Sequence, residues 1–163
     1  RTIQNQEAKG KLFMVIALIG DSCTGKSTIA DCLKQKLDAE LYSGRDYLRL
    51  AKSESAAAAL FRKKLEDAFG DGAMIYVISE KEHLALLPEK CVRVLITARL
   101  ESIQRRFAQR MNGKLPPPVA AMLERKYGQF ESEPHDLRLD TETLSPEEAA
   151  AAILRILPET NSF

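Results

Sequence analysis

Apolar positions follow two different spacings along the chain. Leu12 to Ile19 is an almost unbroken apolar run, rich in branched residues and closed by Gly20. Such a run predicts a central strand covered on both faces, and hence a parallel sheet. Ala73 to Ile78 and Cys91 to Thr97 repeat the pattern, and shorter runs at Ala39 to Tyr42 and Asp136 to Asp140 predict two further strands. Between these runs the apolar spacing changes to three or four residues, the helical period. Ile29, Ala30, Leu33 and Leu37 share one face of a predicted helix from Lys26 to Leu37. Arg45 to Phe69 is helical with a break near Ser53, and Gly70, Asp71 and Gly72 are expected to form the turn that stops it. Ser79 followed by Glu82 reads as a capping box opening a helix to Leu87. Leu100, Ile103, Phe107 and Met111 are expected inward on a helix closed by Asn112 and Gly113. Pro116, Pro117 and Pro118 predict a stiff extended link before a helix from Val119 to Phe130. Ser145, Pro146 and Glu148 are the cap, first-turn proline and capping glutamate of a last helix through Leu157.

Five strands alternating with helices predict an α/β three-layer sandwich, a five-stranded parallel sheet with helices on both faces, joined by right-handed crossovers. At 163 residues the chain is the size of one domain. The expected division is a single domain over 1–163 with its core at 12–157, substrate-side helices at about 45–69 and a short helical lid at about 105–130. The tails 1–10 and 158–163 are expected to be loose.

Composition narrows the chemistry. With 45% hydrophobic and 29% charged residues, the chain is that of a soluble globular protein and not of a disordered or collagen-like one. Twenty-four Lys and Arg against 23 Asp and Glu leave a formal charge of +1, so there is no global field for nucleic acid or an anionic membrane. Anion binding must therefore be local. Cys23, Cys32 and Cys91 match neither a zinc pattern nor a disulfide framework, which predicts a reducing cytoplasm. The longest apolar run is too short to cross a bilayer, and the polar stretch Arg1 to Lys11 does not read as a signal peptide.

Gly20-Asp21-Ser22-Cys23-Thr24-Gly25-Lys26-Ser27 satisfies G-x-x-x-x-G-K-S, and it stands between a buried strand and a helix, where that motif works. Glycines at both ends let consecutive N–H groups point inward at phosphate oxygens, and the helix that carries Thr28 adds its positive end. Lys26 supplies a charge for the β- and γ-phosphates, and Ser27 a hydroxyl for Mg²⁺. On the acceptor side, Ser43-Gly44-Arg45-Asp46-Tyr47-Leu48-Arg49 places a carboxylate and two guanidinium groups beyond the second strand. Arg45 and Arg49 are candidates to grip a substrate phosphate, and Asp46 to orient an attacking oxygen; the alternative is a solvated helix start. From Arg93 to Lys114 six basic residues face one acid, Glu101. Arg106 and Arg110 share a helix face, where like charges repel unless an anion lies between them. They are the candidates to stabilise charge on a transferring phosphoryl group, a solvated basic face being the alternative.

The remaining candidates are weaker. His83 and His135 lack ligand partners and are expected at the surface or hydrogen-bonded. Cys23 is taken as a small loop residue, and the acidic stretch Glu131 to Glu148 as solvated surface. The basic cluster is compact and has no interleaved aromatics, which argues against nucleic acid.

On these residues the chain resembles the P-loop NTPase kinases of small molecules, and within them the nucleoside monophosphate kinases. Ser43-Gly44 with Asp46-Tyr47-Leu48-Arg49 is similar to the substrate segment of adenylate-kinase-type enzymes, with Arg45 as an extra residue. Arg106 and Arg110 match that family's lid-side arginines. Asp136-Leu137-Arg138-Leu139-Asp140-Thr141 and Leu144-Ser145-Pro146-Glu147-Glu148 are similar to the close of cytidylate-kinase-like proteins. After the third strand, Ser79-Glu80-Lys81 replaces the family's glycine-arginine or aspartate-glycine pair, leaving Glu80 as the carboxylate at that place. The resemblance implies ATP- and Mg²⁺-dependent phosphoryl transfer to a nucleoside monophosphate or similar small acceptor, by a monomer or homodimer. A kinase of a non-nucleotide metabolite and a nucleotide-binding regulatory module without transfer are the two alternatives.

Overall fold

The computed structural model describes residues 14–71 and 73–158. Five parallel strands, β1 (Met14–Ile19), β2 (Ala39–Ser43), β3 (Ala73–Ile78), β4 (Val92–Thr97) and β5 (Leu137–Asp140), form one sheet in the order β2-β3-β1-β4-β5. Every residue of β1 and β3 is buried, as continuous apolar strands in a doubly covered sheet require. The predicted architecture is the one observed. The chain leaves β1 toward β2 on one side and later reaches β4 on the other, so β1 ends at a switch in strand order, where ligands of open α/β sheets lie.

Helices α1 (Lys26–Lys36) and α5 (Pro146–Ile156) pack Ile29, Leu33 and Ile153 on one face of the sheet with Ile16, Leu18, Val94 and Ile96. Helix α2 (Glu54–Asp71) packs Ala57, Phe61 and Leu65 on the other, against Val15, Tyr76 and Phe130. A smaller cluster of Cys23, Ala98, Ile103 and Leu123 lies under α3 (Leu100–Arg110) and α4 (Pro117–Lys126), and joins them to the loop after β1. The capping box at Ser145 and Glu148 forms in both directions. Asn112 and Gly113 close α3 with φ of 62° and 89°.

Several local expectations are corrected. Helix α2 continues through Gly70 and Asp71, where a turn was expected. A helical glycine costs only about 1 kcal/mol, and the stripe Ala57, Phe61, Leu65 and Ala68 already seats this helix on the sheet. Residues 46–50 form a 3₁₀ turn before α2, because Tyr47 plugs into the core and stacks 5.5 Å from Phe61. Residues 81–86 are also 3₁₀, and Ser79 does not cap them. His83 and Leu86, three apart, fall on one side of such a helix, and both are buried. His83 is therefore neither at the surface nor hydrogen-bonded through its ring: both ring nitrogens lack partners among the described residues, and the ring meets Tyr47 edge-on at 6.0 Å. Pro117 and Pro118 begin α4 instead of preceding it, since a first turn has no use for their missing N–H groups, and the helix stops at Lys126. Met111 stays 37% exposed rather than inward, because α3 ends one residue before it. The expectations for residues 12–13, Gly72 and the tails, Pro158 apart, concern positions outside the described residues.

No helix among the described residues is long and apolar enough to cross a membrane. The three cysteines are free thiols.

Candidate functional site

The loop from Gly20 to Gly25 leaves the carboxyl end of β1 and delivers the chain to α1. Cys23 and Gly25 both take left-handed backbone, with φ of 64° and 104°. Thr24 Oγ1 donates to Asp21 O at 3.0 Å, and Thr141 Oγ1 reaches Thr24 O at 2.7 Å, so the ring is held from inside and from the end of β5. At Gly20 the sheet itself dictates glycine: a Cβ would stand 2.3 Å from the main-chain oxygen of Ile96 on β4. Gly20→Ala is therefore expected to lose about 1–3 kcal/mol of stability through overpacking, read as a lower denaturant midpoint at constant slope. An unchanged midpoint would contradict this packing.

Lys26 is the unusual group. It is 4% exposed, and Nζ donates to Asp21 O at 2.5 Å and lies 3.4 Å from Thr24 Oγ1. Burial lowers its pKa from 10.5 to about 8, against the raising influence of Asp21 and Cys23 and with a further lowering from Arg110. No carboxylate forms an ion pair with it among the described residues. Asp21 is engaged elsewhere: its two oxygens accept from Gly128 N at 2.9 Å and Gln129 Nε2 at 3.2 Å. A buried cation served only by neutral oxygens is suited to an anion, because burial strengthens attraction to any anion that displaces water there.

Two arginines complete this side. Arg106 Nη1 donates to Cys23 O at 3.0 Å, tying α3 to the loop. Arg110, one turn further, shares with it a cleft of about 470 Å³ bounded also by Gly25, Thr28, Thr141 and Pro146. Neither arginine forms an ion pair among the described residues. Cys23 is buried under α3 and α4, in keeping with its reading as a small loop residue. Ser27 and Thr28 lie exposed at the start of α1. No group of three or more His, Cys, Asp or Glu side chains among the described residues can hold a metal. A metal here would rest on Ser27 Oγ, phosphate oxygens and water, a hard-oxygen set that suits Mg²⁺.

The segment from Ser43 to Arg49 keeps local company. Asp46 Oδ2 accepts from Ser43 N at 2.9 Å, Arg45 pairs with Glu54 at 3.5 Å, and the Arg49 guanidinium lies 4.5 Å over the Tyr42 ring. The structure thus brings Lys26, Ser27, Thr28, Arg106 and Arg110 around one loop, whereas the polar groups of Arg45, Asp46 and Arg49 are held near β2. Sequence reading passed over Thr141, Lys126 and Gln129. Thr141 was within reach, since it follows the carboxyl end of a strand; the other two depend on how residues 127–131 cross back to the loop. The acidic stretch is also more than solvated surface. Glu131 pairs with Arg138 at 2.6 Å, Glu133 with Lys81 at 3.4 Å and Glu142 with Arg99 at 3.5 Å. The Arg99 main-chain N–H holds the Glu142 carboxyl below its usual range.

No protein-family model matches the chain, and no curated sequence matches it. Solved structures do. An uncharacterized protein from Eubacterium ventriosum superposes with a TM-score of 0.64 at 15% identity, over 87% of this chain and 96% of that one. Shikimate kinase from Acinetobacter baumannii, in complex with shikimate, gives 0.61 at 15%, over 93% and 96%. Shikimate kinase from Aquifex aeolicus gives 0.57 at 23%, over 87% and 95%. At these identities the likeness is one of fold: the chain has the five-stranded parallel sandwich of P-loop small-molecule kinases.

Proposed function

We propose that the protein transfers the γ-phosphoryl group of ATP to a small acceptor. The observation that carries this reading is Lys26: an ammonium buried in a glycine-bounded loop, without a carboxylate partner, at the switch in strand order. Loop amides and Lys26 hold the β- and γ-phosphates, and Thr28 and the cleft beside Arg106 and Arg110 receive the rest of the donor. Ser27 is the residue for Mg²⁺, which when bound neutralises charge on the two terminal phosphates. Arg106 and Arg110 face the charge that develops on the transferred group. Positioning and charge stabilisation supply the catalysis, as in phosphoryl transfer generally.

The fold shared with shikimate kinases supports a small acceptor, and the resemblance to nucleoside monophosphate kinases makes nucleotides the first acceptors to compare. Titration calorimetry with ATP and magnesium tests the core of the reading. A saturable binding heat is expected, with ligand at about 100 times Kd stabilising the fold by about 2.7 kcal/mol. No heat and no thermal stabilisation would overturn it.

A further inference from the structure

Asp21 and Glu80 are the carboxylates that border one cavity beside the loop. Asp21 has both oxygens engaged by Gly128 N and Gln129 Nε2. Glu80 is the other. Its place follows from the sheet: Ile19 and Ile78 are register partners, and Gly20 N donates to Ile78 O at 3.1 Å. The next residues of the two chains, Gly20-Asp21 and Ser79-Glu80, therefore start out side by side, at a strand spacing of about 4.8 Å. Glu80 thus leaves the end of β3 beside the main chain of Asp21, whose carbonyl accepts from Lys26 Nζ.

A cavity of about 220 Å³ opens there, with Ser22, Ser79, Glu80 and Lys126 on its polar side and Phe107 and Leu123 on its apolar side. Lys126 Nζ lies 3.3 and 3.5 Å from the two Glu80 oxygens. One ammonium fixes the carboxylate and leaves it lone pairs to accept from another donor. The volume falls below the roughly 300 Å³ at which drug-sized sites begin.

We propose that this cavity, given the transfer reading above, is the acceptor subsite, that it takes a compact non-nucleotide hydroxyl compound, and that Glu80 is the general base. As the acceptor oxygen bonds to the γ-phosphorus, its proton passes to a Glu80 oxygen, and the bond from the γ-phosphorus to the β,γ-bridging oxygen breaks with its electron pair leaving on ADP. Glu80 then releases the proton to solvent, so the products are a phosphate ester, ADP and one proton. Lys126 is a positioning residue that acts through Glu80.

The test measures ADP release and phosphorylated product with ATP and magnesium against small polyols, sugars and hydroxy acids, beside the common nucleoside monophosphates. Turnover is expected with at least one compact hydroxyl compound and with none of the nucleotides. Glu80→Gln should lower kcat for that compound by about 10²–10⁴ while the calorimetric Kd for ATP with magnesium stays the same. Glu80→Asp should recover part of the rate, and Lys126→Met should lower kcat less than Glu80→Gln does. Turnover of a nucleoside monophosphate, an unchanged kcat in Glu80→Gln, or silence from every compact compound while the wild type binds ATP would overturn the inference. Failure of the wild type to bind ATP would instead remove the transfer reading on which it rests.

Discussion

Replacing Lys26 with methionine is expected to abolish measurable phosphoryl transfer and, at the same time, to stabilise the protein. The first half follows from the loop. The ammonium sits at Asp21 O inside the ring of main chain, and methionine offers a similar shape without charge. A loss of at least about 10³ in kcat/KM corresponds to about 4 kcal/mol of transition-state stabilisation. The second half follows from burial, which lowers the Lys26 pKa to about 8 from 10.5. Below about pH 8 the lysine is charged in both folded and unfolded chains, and the folded state carries the full cost of burying the charge, roughly 3 kcal/mol at 1.36 kcal/mol per pH unit. Between about 8 and 10.5 the unfolded chain binds the extra proton, so stability of the wild type rises with pH through that window and levels off above it. Lys26→Met should lack this rise and should be the more stable protein at pH 7 in chemical denaturation. A bound polyphosphate favours the charged lysine, so binding should take up protons and weaken as pH rises through about 8. A variant that still turns over, or that is less stable than wild type at pH 7, would show that this ammonium has another role.

Arg106→Ala is expected to lower kcat by about 10³, the lower range for an arginine that stabilises a transferring phosphoryl group, with little change in stability. The guanidinium spans two jobs. One N–H fixes α3 to the loop through Cys23 O at 3.0 Å, and the rest of the fork faces the cleft it shares with Arg110. Arg106→Lys should not restore the rate, because a single ammonium cannot hold the loop carbonyl and present a planar fork to phosphate oxygens. Steady-state kinetics at saturating ATP checks this. An Arg106→Ala enzyme with wild-type kcat would leave this residue a structural tie and nothing more.

Much of the molecule is legible in the residues because it is built from short-range rules. The five runs read as strands became the five strands, the box at Ser145 and Glu148 formed as spaced, and the glycine-lysine loop stands between β1 and α1. Even the break before α2 could be read near Ser53. Gly70 and Asp71 continue a helix because the packing of the whole helix outweighed a local signal, and Pro117 and Pro118 start one because a first turn does not need their N–H groups. His83 was expected at the surface or hydrogen-bonded, since nothing nearby in sequence tells that Tyr47 and Tyr76 will enclose it.

What the amino-acid order determined alone is the set of elements and the glycine-bounded loop between β1 and α1, for spacing and backbone conformation within a few residues decide those. Tertiary structure decided the rest of the site. Arg106 meets Cys23 across 83 positions, Gly128 meets Asp21 across 107, and Lys126 meets Glu80 across 46. Each of these contacts depends on where a crossover lays one segment over another strand's end, and no local propensity specifies that path.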